Sequence, residues 1–209
     1  MTLRLMGEKA SFDVLKTYLE IRASFTDAEF AFIRTMFNLL TLRRGEFLQR
    51  AGEVAKYTGF VAAGCMRKYL IDAAGKEHIV SFAPENWWVT DGVSLESGTP
   101  SQFFIDAIED SDLLLIDPVS HEEIVGRVPG YAAAYRRGVS RAAAARDNRI
   151  ARALSASPRE RYLEFLEVYP SIAARVPQWM LASYLGVAPE TISRIRNALA
   201  RGRGRSSAV

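Results

Sequence analysis

The chain has 209 residues and a mass of 23.3 kDa, with 49% hydrophobic and 24% charged residues. That is more than one minimal domain, enough apolar material for a real core, and no compositional signature of disorder. Cys65 is the single cysteine, which excludes an intramolecular disulfide framework and a cysteine-ligated zinc or iron–sulfur site and makes a reducing cytoplasm the expected compartment. No run of about 18 apolar residues is present, so no membrane-spanning helix and no membrane partner are expected. The stretch after Met1–Lys9 is amphipathic rather than uniformly apolar, unlike a signal peptide.

The net charge of +3 conceals a division. Residues 1–126 carry 12 basic against 19 acidic side chains, or −7, whereas residues 127–209 carry 15 against 5, or +10, and every basic residue of that second part is Arg. The split points to two units with different partners, an acidic front and a back that seeks a polyanion.

In chain order, Phe12, Leu15, Leu19 and Arg22 recur at helical spacing. Thr26-Asp-Ala-Glu29 is a capping box that opens a second helix, with Phe30, Ile33, Phe37 and Leu40 as its expected buried stripe. From Leu42 to Asp117 the rhythm changes. Short apolar runs (Gly59–Ala62, Met66–Ile71, His78–Phe82, Leu113–Ile116) are separated by turn signals such as Arg44-Gly45-Glu46 and Ala74-Gly75-Lys76, a pattern that suits an antiparallel barrel or sandwich.

Beyond Pro118 the pattern is helical. From about Tyr131 to Leu154 a long Ala- and Arg-rich helix is expected, with Gly138 as its weak point and Tyr131, Tyr135, Val139, Ala142 and Ile150 as a narrow apolar seam suited to another helix. Ser157-Pro158-Arg159-Glu160 combines an N-cap, a proline at the first helical position and a capping box, so a new helix and a new domain begin there.

Residues Gln178–Asn197 have the spacing of a helix-turn-helix. Ala182 must be small where the second helix crosses, Gly186 sits at the sharp turn, and Leu181, Leu185 and Val187 close the inside of the corner. Pro189 opens the second helix, whose buried face is Ile192, Ile195 and Leu199. Its opposite face presents Glu190, Ser193, Arg194 and Asn197, residue types that read base edges or phosphates.

With these residues in view, the chain resembles the Crp/Fnr family of transcription regulators over roughly residues 10–200. Leu42–Leu48, Gly52, Gly59–Val61, Gly64, Arg67–Tyr69, Gly75–Glu77 and Phe82 are similar to the family's sensor domain in order and spacing, and Pro189-Glu-Thr-Ile-Ser-Arg194 to its recognition helix. The resemblance implies an α+β protein: an antiparallel, jelly-roll-like cyclic-nucleotide-binding-type β-roll (1–126), a dimerisation helix (127–155) and a winged-helix-type helix-turn-helix domain (156–209).

Three departures qualify it. Where cyclic-AMP-binding relatives carry a Gly-Glu pair and a later Arg, this chain has Val89-Thr90 and Ser101. Without that cation an anionic phosphate would be desolvated with little return, so binding of cyclic AMP in the family manner is not expected. One cysteine excludes the iron–sulfur branch, and His78 alone argues only weakly for haem, so no cofactor or metal is expected. Pro189 replaces an Arg that reads guanine in many relatives, and little chain follows Arg205 to form a wing.

The resulting expectation is a homodimer holding two recognition helices about 34 Å apart on an inverted-repeat operator in double-stranded DNA. Arg194 can donate twice to guanine and Glu190 can accept from cytosine; Thr191 lies in the matched segment, and Ser193 and Asn197 read bases or fix register on phosphates. Arg196, Arg201, Arg203 and Arg205 are expected on phosphates. Contact with RNA polymerase belongs to the same picture. Trp87, Trp88, Val89, Thr90, Ser101 and Gln102 form the candidate pocket for an unknown small-molecule effector, or else pack a roll that has lost its ligand. An enzyme is not expected: there are two His and no nucleophile motif or phosphate loop. The alternative function is an effector-binding module that acts through a protein partner without touching DNA.

Overall fold

The structure is a computed structural model that describes residues 7–206, with side chains as far as residue 200. Helix α1 (Glu8–Glu20) buries Phe12, Leu15, Tyr18 and Leu19. Helix α2 (Asp27–Thr35) starts as expected, the Thr26 hydroxyl accepting from Glu29 N and the Glu29 carboxylate accepting from Thr26 N. It does not run on to Leu40. The chain turns at Met36, and Leu40 belongs to strand β1 (Asn38–Leu42), opposite Leu113. The helical spacing of Phe37 and Leu40 loses to a long-range partner: pairing with an apolar strand buries Leu42 and satisfies the backbone at once.

Strands β2 (Phe47–Gln49), β3 (Thr58–Ala63), β4 (Cys65–Ile71), β5 (Glu77–Pro84) and β6 (Trp88–Val89) follow, then the short helix α3 (Gly92–Ser97), β7 (Phe104–Ala107) and β8 (Ser111–Ile116). They form two antiparallel four-stranded sheets, ordered β1-β8-β3-β6 and β2-β7-β4-β5. Val61, Leu113 and Leu115 of the first sheet share one core with Met66, Ile79, Phe82 and Ile105 of the second. The opposite face of β3 and β8, carrying Phe60, Ala62, Leu114 and Ile116, is covered by α1 and the helices after the roll. Burial on both faces is why these two strands read as continuous apolar runs rather than alternating ones.

After α4 (Pro118–Arg127), helix α5 (Pro129–Ser155) runs 27 residues. The apolar seam read from the sequence divides between two faces, because successive residues turn by about 100°. Tyr131, Tyr135, Ala142 and Ala145 face inward against the roll and the carboxyl-terminal helices. Val139, Ile150 and Leu154 lie on another side, 46%, 56% and 86% exposed. Gly138 is required on the inward face: a Cβ there would stand 2.3 Å from the Tyr18 hydroxyl and 3.1 Å from Trp88.

Helix α6 (Pro158–Val168) opens with the expected Ser157–Glu160 box and buries Tyr162 and Phe165. Turns lead to α7 (Gln178–Leu185) and α8 (Pro189–Ser206). Among the described residues this last unit contains no strand. No helix among the described residues is long and apolar enough to cross a membrane.

Candidate nucleic-acid interface

Helix α7 is buried through Met180, Leu181, Ala182, Tyr184 and Leu185. It ends at Gly186, whose φ of 65° places it in the left-handed region where a Cβ is strained. Gly186 N donates to Ser183 O and Val187 N to Ala182 O, so the turn satisfies the last carbonyls of the helix. The Gln178 side-chain amide donates to Pro189 O at 2.7 Å and ties the start of α7 to the start of α8.

On α8, Ile192 and Ile195 are buried against this corner, Leu199 partly so. Glu190, Arg194 and Asn197 are exposed on the opposite side, with Thr191 and Ser193 half-buried at its edges. Five of the residues expected to read DNA therefore share one outward surface or its border. Arg196 does not join them. Its Nε donates to the Tyr162 hydroxyl at 3.0 Å and its Nη2 to Ala173 O at 3.2 Å, bracing α8 against α6 and the following turn. The i+2 offset from Arg194 rotates Arg196 by about 200°, onto the packed side. The side chains of Arg201, Arg203 and Arg205 lie outside the described residues.

The residues expected to line an effector pocket do not converge. Trp87 packs against Tyr169 with ring centres 5.3 Å apart, toward the carboxyl-terminal unit. Trp88 points the other way, its indole nitrogen donating to the Tyr18 hydroxyl at 3.1 Å among Phe60 and Tyr135. Adjacent residues on an extended strand face opposite sides, and both faces are occupied. Val89 is buried opposite Gly59, Thr90 donates to Tyr57 O at 3.2 Å, and Gln102 is exposed.

Ser101 donates instead to Asp91 at 2.6 Å, and Asp91 also receives Lys68 Nζ at 3.1 Å. Burial opposes both charges. For Asp91 the hydrogen bonds from Ser101 and Lys68 outweigh it and hold the carboxyl below its usual range; for Lys68 burial prevails and lowers the ammonium. The other buried cation of the roll, Arg67, is held by Asp106 at 2.7 and 2.9 Å and by Glu77 at 2.5 Å. Both cations thus carry carboxylate partners from their own chain.

The sequence held no signal for the junction between the two units. Ser183 of α7 accepts from Ile79 N and donates to Glu77 O, both at 3.0 Å, so a helix of the helix-turn-helix hydrogen-bonds the edge of β5. Trp179 lies under the Arg67 guanidinium, and Tyr184 packs on Phe82. Arg175 binds Glu85 and Glu109 together.

No protein-family model and no curated protein matches the chain. Solved structures do. FixK2 from Bradyrhizobium japonicum aligns with a TM-score of 0.65 at 21% identity, over 79% of this chain and 85% of its own. The c-di-GMP-responsive regulator CLP of Xanthomonas campestris aligns at 0.67 and 12% identity, over 85% and 93%. A transcriptional regulator from Eubacterium rectale assigned to the Crp/Fnr family aligns at 0.59 and 17% identity, over 85% of each chain. The fold is that of the Crp/Fnr regulators. These alignments span 79–85% of this chain. Among the described residues no group of three or more His, Cys, Asp or Glu is placed to hold a metal ion.

Proposed function

We propose that this chain is a sequence-specific DNA-binding transcriptional regulator of the Crp/Fnr type, acting in the cytoplasm as a homodimer. The observation that carries the reading is the α7–Gly186–α8 corner, whose outward face holds Glu190, Arg194 and Asn197 within a segment whose basic residues are all arginine. A helix end that presents such side chains from a buried corner fits the major groove, and the +10 balance of residues 127–209 supplies the sequence-independent attraction to phosphate.

The exposed apolar residues Val139, Ile150 and Leu154 on one side of α5 support dimerisation, since on an isolated helix they face water. In this reading residues 1–126 sense, 127–155 dimerise and 156–209 bind an inverted repeat. The effector is not cyclic AMP held in the family manner: Lys68 is engaged by Asp91, and Ser101 offers that carboxylate a hydroxyl rather than a phosphate an arginine.

Selection of genomic fragments bound by the full chain, followed by gel shifts across a salt series, tests the proposal. The expected result is an inverted-repeat consensus whose affinity falls steeply with salt. Binding without sequence preference, or none, would favour a module that acts on a protein partner. Sedimentation should report a dimer, and calorimetry no heat of cyclic AMP binding.

A further inference from the structure

On the outer side of α5, Val139 and Ile150 are eleven residues apart, and so are Ala143 and Leu154. Eleven residues advance a straight helix by three turns and about 20°, so these four side chains stay on one stripe about 60° wide. Val139, Ile150 and Leu154 are exposed, and Ala143 between them is small enough to let a neighbouring helix approach. Arg136, on the same stripe a turn before Val139, is exposed and bounds the row.

Two opposite charges flank the stripe at mid-length. Measured from its centre line, Arg146 is turned about 50° to one side and Asp147 about 50° to the other. Their side chains are 65% and 73% exposed, with Arg146 Nε 3.8 Å from Asp147 Oδ1. A contact that long between two solvated groups contributes little to folding. Their own helix offers nothing better. The positions three and four residues away from Arg146 hold Ala142, Ala143, Arg149 and Ile150, and those from Asp147 hold Ala143, Ala144, Ile150 and Ala151. Among the described residues neither side chain has another ion-pair partner.

Two-fold symmetry turns these flanks into a contact. In a parallel pair of α5 helices related by an axis along their length, the left flank of one row meets the right flank of the other. Arg146 then faces the partner's Asp147, at heights about 1.5 Å apart, and the contact occurs twice. An antiparallel pair about the same centre sets each flank against its own kind, Arg146 against the partner's Arg146 and Asp147 against the partner's Asp147. Like charges so placed oppose association.

We propose that a second copy of this chain covers the row Val139, Ala143, Ile150 and Leu154, and that Arg146 and Asp147 exchange their weak in-chain contact for two symmetric salt bridges between protomers, which select parallel pairing. The inference rests on the homodimer proposed above and names the side chains that fix its orientation. Parallel pairing places both helix-turn-helix units at the same end of the α5 pair.

Sedimentation equilibrium of the full chain tests the bridges, comparing wild type with Arg146→Asp, Asp147→Arg and the double exchange of both. Each single change sets like charges against each other at both contacts and should weaken the dimer roughly tenfold or more, whereas the double exchange restores it to within about threefold. The loss in the single variants should shrink as salt rises. Both positions are exposed, so circular dichroism stays unchanged. Orientation is read from Leu154→Cys under mild oxidation. Only parallel pairing sets position 154 beside its own copy, so the two chains should cross-link, and the native Cys65 is buried and does not compete. Single variants as tight as wild type, a double exchange no tighter than the singles, or a Leu154→Cys chain that does not cross-link would overturn the bridges, while a dimeric wild type keeps the homodimer. A monomeric wild type overturns both. A chain that dimerises as described but binds no DNA keeps the bridges and overturns the regulator instead.

Discussion

Arg175 and Glu85, separated by 90 residues of sequence, meet at the junction of the carboxyl-terminal helices with the roll, with Arg175 Nη2 2.7 Å from Glu85 Oε1. Glu109 receives the Nε of the same guanidinium at 3.0 Å, so one arginine bridges two carboxylates that would otherwise repel each other. All three side chains are only about a quarter exposed, at 24%, 26% and 21%. Arg175→Ala removes a charge-assisted set and leaves two facing carboxylates; discounted for solvent access, the cost is about 1–2 kcal/mol in urea denaturation. Amide exchange at Ile79, whose N–H is bound by Ser183, should accelerate with it. Unchanged exchange at Ile79 would show that the junction does not depend on this bridge.

Gly138 sits in a long helix, where glycine ordinarily loses to alanine by about 1 kcal/mol. Here the sign reverses. The added methyl would overlap the Tyr18 hydroxyl and press on the Trp88 ring, and overpacking of this kind costs about 1–3 kcal/mol. Thermal denaturation of Gly138→Ala should show net destabilisation, while Ser140→Ala, at an exposed position of the same helix, stays near neutral. A stabilised Gly138→Ala would mean that α5 is not seated against Trp88.

His121 packs against Tyr135 with ring centres 4.3 Å apart, and its Nε2 is buried with no hydrogen-bond partner among the described residues. Burial lowers its pKa below the ordinary 6.5, with Glu122 offsetting a part. The folded state therefore prefers the neutral ring. Its contribution to stability is complete above the unfolded value of about 6.5 and is lost as pH falls through the lower folded value. Urea midpoints should drop between pH 7.5 and pH 5.5, and His121→Phe should flatten that slope. Equal slopes in both proteins would assign the loss to other groups.

Arg194 and Arg196 are two residues apart yet face opposite ways. Arg194→Ala should leave stability unchanged and relax preference at one base pair per half-site by about 1–3 kcal/mol. Arg196→Ala loses its bonds to Tyr162 and Ala173 and should cost about 1 kcal/mol of folding stability, with the operator consensus retained. The two variants read by the same fragment selection and the same melt separate the roles. Identical relaxed consensus from both would place Arg196 in the groove as well.

Features decided within a few residues were legible in the chain. The boxes at Thr26–Glu29 and Ser157–Glu160 marked two helix starts, because a cap is satisfied by its own first turn. The corner at Gly186 was legible too, since a sharp turn between two apolar stripes requires a residue tolerant of positive φ. Leu40 was misplaced onto a helix for the complementary reason: its partner, Leu113, lies in a strand that local spacing cannot register.

What the amino-acid order determined alone was therefore the capped helix starts, the change from helical to strand rhythm, the Gly186 corner and the outward set on α8. The assembled molecule decided which faces meet: Trp87 and Trp88 to opposite cores, Ala145 inward and Ile150 outward, Arg196 onto Tyr162, Ser183 onto β5. Periodicity and caps depend on neighbours within about four positions, whereas docking depends on surfaces brought together from segments far apart in sequence, where burial and hydrogen bonding outweigh local preference.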